Sequence, residues 1–191
     1  MKIVKPVPSC PEEEAYLAYI DEHRKNVFSA FMKFGKTICL GLSLVQGEYD
    51  ILKRYVNRHD ASKYDKEEFD GYRQWFYPKE GEEKNKEVFQ AAWHHHYRNN
   101  PHHWEYYVDH EKASPMPKLN IAEMILDWIA MSMKFKNSPV DWYNKNKDNM
   151  LLHKETKNKT ESVLKMLSGQ NIYPFRVSRN YKTGRRPRNK K

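Results

Sequence analysis

The sequence predicts an all-α domain, and three observations carry that prediction. Apolar residues recur at spacings of three, four and seven over long stretches, the period of a helix with one buried face. Helix start signals precede these stretches at Ser9-Cys10-Pro11-Glu12, Asp65-Lys66-Glu67 and Ser138-Pro139. No convincing pair of strand-like runs is present, so no sheet is expected.

The first helix is expected over residues 11–34. Glu12, Glu13 and Glu14 suit the positive end of its dipole. Leu17, Ile20, Val27, Phe31 and Phe34 form its inward face, and His23, one turn before Val27, shares that face. Gly35 and Gly41 loosen the next segment. A second helix over 44–56 leads to His59-Asp60, and a third starts at Asp65 and ends near Pro78. Residues 79–85 read as a charged loop. A helix over 87–97 carries Trp93 and His94-His95-His96 and is broken at Asn99-Asn100-Pro101. The stretch PMPKLNIAEMILDWIAMSMKF is the clearest core helix: Ile121, Met124, Ile125, Trp128, Ile129 and Met131 give a wide apolar face, with Asn120 read as its cap and Glu123 as the capping-box partner. Asp127 lies inside this apolar stretch, where a carboxylate must be paired, hydrogen-bonded or metal-bound. Ser138-Pro139 opens another helix, and a last one over 156–167 ends at Gly169.

A chain of 191 residues suits one domain, placed at 1–170, followed by a basic flexible tail at 171–191. Aromatic residues make up 14% of it, enough for a substantial core despite modest hydrophobicity. The net charge of +9 is a property of the tail: from Phe175 onward there are eight Lys or Arg and no acid, which leaves +1 for the first 174 residues. Only the tail suggests a nucleic-acid contact, a weak one, and a solvated terminus is the ordinary reading of such a run. Cys10 and Cys39 lack the paired spacing of zinc ribbons or redox motifs, so a metal would have to rely on His and carboxylates. No leader-like segment and no membrane-length apolar run is seen, and a cytoplasmic, reducing location is the expectation.

The residues that bear chemistry are histidines and aspartates. His23, His59-Asp60, His94-His95-His96, His102-His103 and Asp127 succeed one another along the chain, and imidazole with carboxylate is the natural donor set of first-row transition metals. Five histidines within ten positions exceed what a surface composition produces. Composition does not say which of His94, His95, His96, His102 and His103 are ligands. His95, two positions after Trp93, is the first choice as it points away from the Arg98 side, with His102 and His103 close behind. His110 and His153 read as ordinary surface or core histidines. Trp75, Trp93, Trp104 and Tyr106 are candidates to stack on a nucleobase, although aromatics at helical spacing are more often core. Glu67 and Glu68 read chiefly as helix-start residues favoured by the dipole.

The order His, His-Asp, His, His, Asp, with Lys63 just after the pair in HDASK, resembles the HD-domain metal-dependent phosphohydrolase superfamily over roughly residues 16 to 136. HHYRNNPHHWEY and EMILDW are also similar to a subfamily found in bacteria and their phages, for which no substrate is implied. The resemblance implies a single helical bundle with the metal site between helices. It implies that His23, His59, Asp60 and Asp127 hold one ion, and that added histidines (His95, His102, His103) hold a second, bridged through Asp60. The cofactor would be one or two ions of Mn, Fe, Co, Ni or Zn.

The expected activity is hydrolysis of a phosphorylated small molecule, a nucleotide by preference, through water activated by the metal. Asp60 and Lys63 would be catalytic, Lys63 by neutralising a phosphoryl oxygen, with Arg58 and Arg98 as helpers in substrate binding. Two rivals stand beside it. One is an HD-fold di-iron oxygenase with the same donors, and the other a non-catalytic nucleic-acid-binding protein that uses the basic tail.

Overall fold

Pro11 fixes the backbone at the first position of the longest helix, behind a Cys10 in extended conformation. The Ser9 N–H and hydroxyl both donate to the Glu13 carboxylate, which ties the entering chain to the first turn. The computed structural model describes residues 3–168. In it this helix, α1, runs Pro11–Gly41 without a break. Gly35 does not loosen it as expected. The glycine sits where a Cβ would lie 2.9 Å from Phe31 Cδ2 and 3.4 Å from Tyr49 Cε2, so the missing side chain serves packing.

The remaining helices are α2 (Gln46–Arg58), α3 (Lys66–Phe76), α4 (Lys86–Asn99), α5 (Lys118–Phe135), α6 (Pro139–Asn146) and α7 (Lys154–Ser168). Short 3-10 turns lie at Ala61–Tyr64, Trp104–Tyr107 and Lys147–Asn149. The Ser138 side chain caps α6 by accepting from the Val140 and Asp141 N–H groups, as its place before Pro139 suggested. The domain is all-α, but not free of strands: β1 (Val108–Asp109) and β2 (Lys112–Ala113) pair antiparallel around His110, which adopts φ 46 in the turn. At two residues each, these strands are too short for a periodic signal. The expected end of the last helix at Gly169 and the basic tail at 171–191 lie outside the described residues.

α1 and α5 pack along one another, α3 and α4 form a second pair, and α2 and α7 brace α1. The larger core joins Val27, Phe31, Phe34 and Ile38 of α1 to Ile121, Ile125 and Ile129 of α5. Each fully buried isoleucine or phenylalanine contributes about 1.5–3 kcal/mol relative to exposure. A smaller cluster gathers Tyr16 and Ile20 with Tyr64, Phe69 and Tyr72. His23 falls on the same stripe of α1, between Ile20 of one cluster and Val27 of the other, so it points into the seam where the two cores meet. Among the described residues, no helix is long and apolar enough to cross a membrane.

Candidate metal centre

The His59-Asp60 pair sits at the end of α2, where the chain turns sharply. Asp60 adopts a left-handed backbone, φ 54 and ψ 22, and a 3-10 turn comes directly after it. Aspartate is among the few residues with a side chain that visit this region readily. The turn aims both side chains inward, leaving His59 2% and Asp60 1% exposed. The Arg24 guanidinium locks it from outside by donating to the His59 and Asn57 carbonyls.

Around this pair, α1, α4, α5 and the segment after α4 supply further donors. His23 Nε2 lies 3.4 Å from Asp60 Oδ2 and 3.1 Å from Asp127 Oδ1. His59 Nε2 is 3.6 Å from Asp60 Oδ1 and 3.7 Å from Asp127 Oδ1. On the other side, His96 Nε2 and His102 Nε2 each stand 3.4 Å from Asp60 Oδ1, and His103 Nε2 is 2.9 Å from His96 Nε2. Three overlapping groups bring their donor atoms within 4.8 Å of one another: Asp60 with His96, His102 and His103; His23 with His59 and Asp60; and His59 with His102 and Asp127. Asp60 belongs to two of them: its Oδ2 faces His23, and its Oδ1 faces His59, His96 and His102.

Outer carboxylates set the orientation of the rings. His59 Nδ1 is 3.0 Å from Glu123 Oε1, and His96 Nδ1 is 2.7 Å from Glu68 Oε2. A ring nitrogen facing a carboxylate carries the hydrogen and donates it, which leaves the Nε2 lone pair directed inward. Glu123 Oε1 is also 3.6 Å from His102 Nδ1, so one carboxylate serves two imidazoles. Glu68 and Glu123 are therefore neither a dipole residue nor a capping partner. Pro117 occupies the cap position of α5, and Asn120, inside the helix, donates to the Tyr107 hydroxyl.

The charges agree with this arrangement. Burial opposes ionisation of Asp60, but His59 and Lys63 hold its carboxyl well below the usual range. Burial opposes Asp127 likewise, and His23 and His59 keep it ionised. Burial drives His96 and His103 well below the ordinary imidazole value, so both are neutral, and at 2.9 Å the His103 Nε2–H donates to the His96 Nε2 lone pair. For His59 burial also pulls downward, but Asp60, Asp127 and Glu123 outweigh it and raise the ring to about 10, so without a cation its Nε2 also holds a hydrogen, which a metal ion would have to displace. Within the centre, two buried atoms have no hydrogen-bond partner, Asp60 Oδ1 and His102 Nε2, although they face each other at 3.4 Å. Unpaired acceptors of this kind are costly in a protein interior, and a cation between them removes the cost. The buried His/Asp cluster is thus positioned to bind a metal ion.

Of the residues expected from the sequence, His23, His59, Asp60, His102, His103 and Asp127 converge here. His95 does not. Its side chain is 37% exposed, and its Nδ1 faces Glu68 Oε1 at 2.9 Å on the outer side. His96, fully buried one residue on, takes the inward place. Apolar or buried positions on α4 fall at Phe89, Ala92, Trp93 and His96, a helical stripe that excludes 95. Lys63 is present, but its Nζ lies 2.7 Å from Asp60 Oδ2 and over the Tyr72 ring, so its charge is engaged with the aspartate. Arg58 lines a cavity of 670 Å³ on the side of His59, His102 and Glu123 away from Asp127. Arg98 is exposed near the end of α4. Trp75 stacks on Phe89 at 5.0 Å and serves the packing of α3 on α4, while Tyr106 is 43% exposed.

A cleft of 370 Å³ opens onto the centre at His102, His103 and Asp127. Asp127 keeps 16% of its side chain exposed, whereas Asp60 keeps 2%. The centre is therefore reached past Asp127, with Asp60 at its base.

Residues 12–166 match the model of DUF5662, a family of unknown function. No curated protein and no solved structure matches the chain.

Proposed function

We propose that this chain, which belongs to the family of unknown function DUF5662, is a metal-dependent phosphohydrolase of the HD type acting on a nucleotide or related phosphate ester. The observation that carries the reading is the convergence of five imidazole Nε2 atoms, from His23, His59, His96, His102 and His103, on the buried carboxylate Asp60 and the partly exposed Asp127. These residues would hold one or two divalent transition ions, with Asp60 shared between the two sides. A bound ion supplies Lewis acidity, lowering the pKa of water and polarising a phosphoryl oxygen.

The protein's own residues do the rest. Lys63 fixes the Asp60 carboxylate through its short ion pair, a positioning role in place of the direct contact with phosphate expected from the sequence. Glu68 and Glu123 hold the imidazoles in one tautomer and one orientation. Asp127, ionised and open to the cleft, accepts a hydrogen from water there and orients it toward a bound ester.

The test is elemental analysis of protein purified without added metal, for wild type, Asp60→Asn, His96→Ala and His95→Ala, and then hydrolysis of p-nitrophenyl phosphate by each. Metal is expected in wild type and in His95→Ala, and lost in the other two, with hydrolysis tracking the metal. Wild type that neither carries nor takes up Mn, Fe, Co, Ni or Zn would overturn the proposal. Iron content with oxygen uptake and no ester hydrolysis would turn it toward the oxygenase.

A further inference from the structure

The first 174 residues are close to neutral, but their charges are not evenly spread. Between Glu22 and Glu48 the chain carries four Lys or Arg and no acid, and between Asp50 and Asp60 it carries three and no acid. These stretches form the C-terminal half of α1 and the end of α2, which pack side by side. The Tyr49 ring meets Phe31 at 4.9 Å and Arg24 donates to the Asn57 carbonyl at 2.8 Å, so the two helices run antiparallel with a groove between them. Lys53, one turn from both Tyr49 and Asn57, lies on the same side of α2, along one lip of that groove. On α1, Lys25, Phe28, Ser29, Met32 and Lys36 follow one another at helical spacing along the other lip. Lys25, Lys36 and Lys53 are exposed, as are Phe28 at 38% and Met32 at 63%.

At the Asn57 end the groove deepens into a hollow of 690 Å³, lined by Arg24, Lys25, Phe28, Ser29 and Asn57, with Lys5 from the entering chain. The carboxylate in that lining, Asp21, is already committed: Lys5 Nζ stands 2.6 Å away and the Tyr64 hydroxyl donates to it. Two backbone carbonyls pin the Arg24 guanidinium, which also lies over the Tyr64 ring, and these contacts fix its position without cancelling its charge.

Cations spaced along a concave groove call for a polyanion, and the remaining features choose among polyanions. A bilayer is flat and would bridge the hollow without filling it. A nucleic-acid duplex is too wide for the groove between two helices packed about 8–10 Å apart. A polyacidic peptide would pair with the lysines but brings no flat ring to lay on Phe28. A single nucleic-acid strand sets phosphates against the cations, a base on the exposed Phe28 ring, and base edges within reach of Ser29 and Asn57.

We infer that the groove between α1 and α2 binds single-stranded nucleic acid, with Lys25, Lys36 and Lys53 on its phosphates and Phe28 stacked on a base. This function stands apart from the metal centre and rests neither on the phosphohydrolase reading nor on the basic tail.

Binding is read on the full chain by fluorescence anisotropy of labelled oligothymidylate and oligouridylate across a salt series, with circular dichroism as the check on folding. Wild type is compared with Phe28→Ala and with a groove variant in which Lys25, Lys36 and Lys53 are all alanine. A control variant removes the same charge from exposed Lys86, Lys112 and Lys154, on α4, β2 and α7. Both strands are expected to bind wild type, and the tighter of them names the ligand as DNA or RNA. The groove variant should lower the slope of log affinity against log salt by about two, since each neutralised phosphate of a single strand contributes about 0.7. The control variant should keep the wild-type slope. Phe28→Ala should weaken binding about tenfold at an unchanged slope, the mark of a lost stack and not of a lost charge.

The inference is overturned if neither strand binds, or if the control variant loses as much as the groove variant, which would assign binding to the tail or to bulk charge. It is overturned equally if Phe28→Ala binds as wild type does. Polyglutamate or phosphatidylserine vesicles that compete as well as the oligonucleotides would point to an acidic peptide or a membrane instead. Hydrolysis of p-nitrophenyl phosphate is judged separately, so a protein that turns it over and binds neither strand refutes this inference alone.

Discussion

Glu123 provides a direct test of whether the inner histidines are tuned from behind. Its Oε1 accepts from His59 Nδ1 at 3.0 Å and lies 3.6 Å from His102 Nδ1, and it is 6% exposed. A buried hydrogen bond to a charged group is worth about 1.5–3 kcal/mol, roughly twice a neutral one. Glu123→Gln keeps the shape and an acceptor but not the charge, so it should lose about 1 kcal/mol of metal binding, close to fivefold in affinity. Glu123→Ala removes the acceptor. Metal affinity should then fall by about 10–100-fold, and a buried His59 N–H left unpaired should lower stability by about 1–3 kcal/mol. Competition against a chelator of known affinity measures the first quantity and urea unfolding of the metal-free protein the second. Glu67→Gln, at an exposed position one residue before Glu68, is the control and should change neither. A Glu123→Ala protein that holds metal as tightly as wild type would refute the reasoning, since the ring orientation would then owe nothing to this carboxylate.

Gly71 lies where α3 crosses α4, and a Cβ there would stand 2.7 Å from Ala92 Cβ and 2.9 Å from the Val88 carbonyl oxygen; Gly71→Ala should cost about 1–3 kcal/mol in urea unfolding. Gly47→Ala, at the start of α2 with nothing within 4 Å, should instead be neutral or stabilise by up to about 1 kcal/mol, and a loss there would contradict the packing account. Ile125→Ala, in the centre of the larger core, should cost about 2–5 kcal/mol by the same measurement. The Arg73–Glu82 ion pair holds the Glu82 carboxyl at about 2 against an ordinary 4.5. Its contribution should be complete above pH 4.5 and vanish as the pH falls toward 2. Melting temperatures of wild type and Glu82→Gln should therefore converge on acidification, and a gap that stays constant would rule the pair out as the cause.

Helical periodicity made most of the fold legible. The faces of α1 and α5 can be read directly from Val27, Phe31 and Phe34, and from Ile121, Ile125 and Ile129. Where the reading failed, a local explanation competed with a tertiary one. Glu123 three positions after Asn120 fits a capping box, but it also precedes Asp127 by four residues and so shares its face of α5. That spacing was the available signal. Glu68 sits between Tyr64 and Tyr72 at steps of four, a polar residue inside an otherwise buried row, and its place at a helix start hid this. Pointing away from the Arg98 side favours His95, whereas the stripe Phe89, Ala92, Trp93, His96 favours its neighbour. Lys63 was seen beside the site, but only coordinates reveal that Asp60 already engages it. The cleft was invisible because its walls come from α5, α6 and the Trp104–Tyr107 turn, which no local pattern relates.

The donors of the centre come from α1, the end of α2, α4, the segment after α4 and α5, with His23 and Asp127 on helices that meet only once most of the chain is in place. Bringing such remote segments together carries a loop-closure cost that no two or three ligands can offset early in folding. A nascent chain therefore offers an ion only fragments of its site, and full affinity arises when α5 docks on α1. In a zinc finger the metal organises an otherwise unfolded peptide. Here the order is reversed, and capture of the ion would report that folding is complete, so metal supply would govern the lifetime of the finished domain rather than its formation.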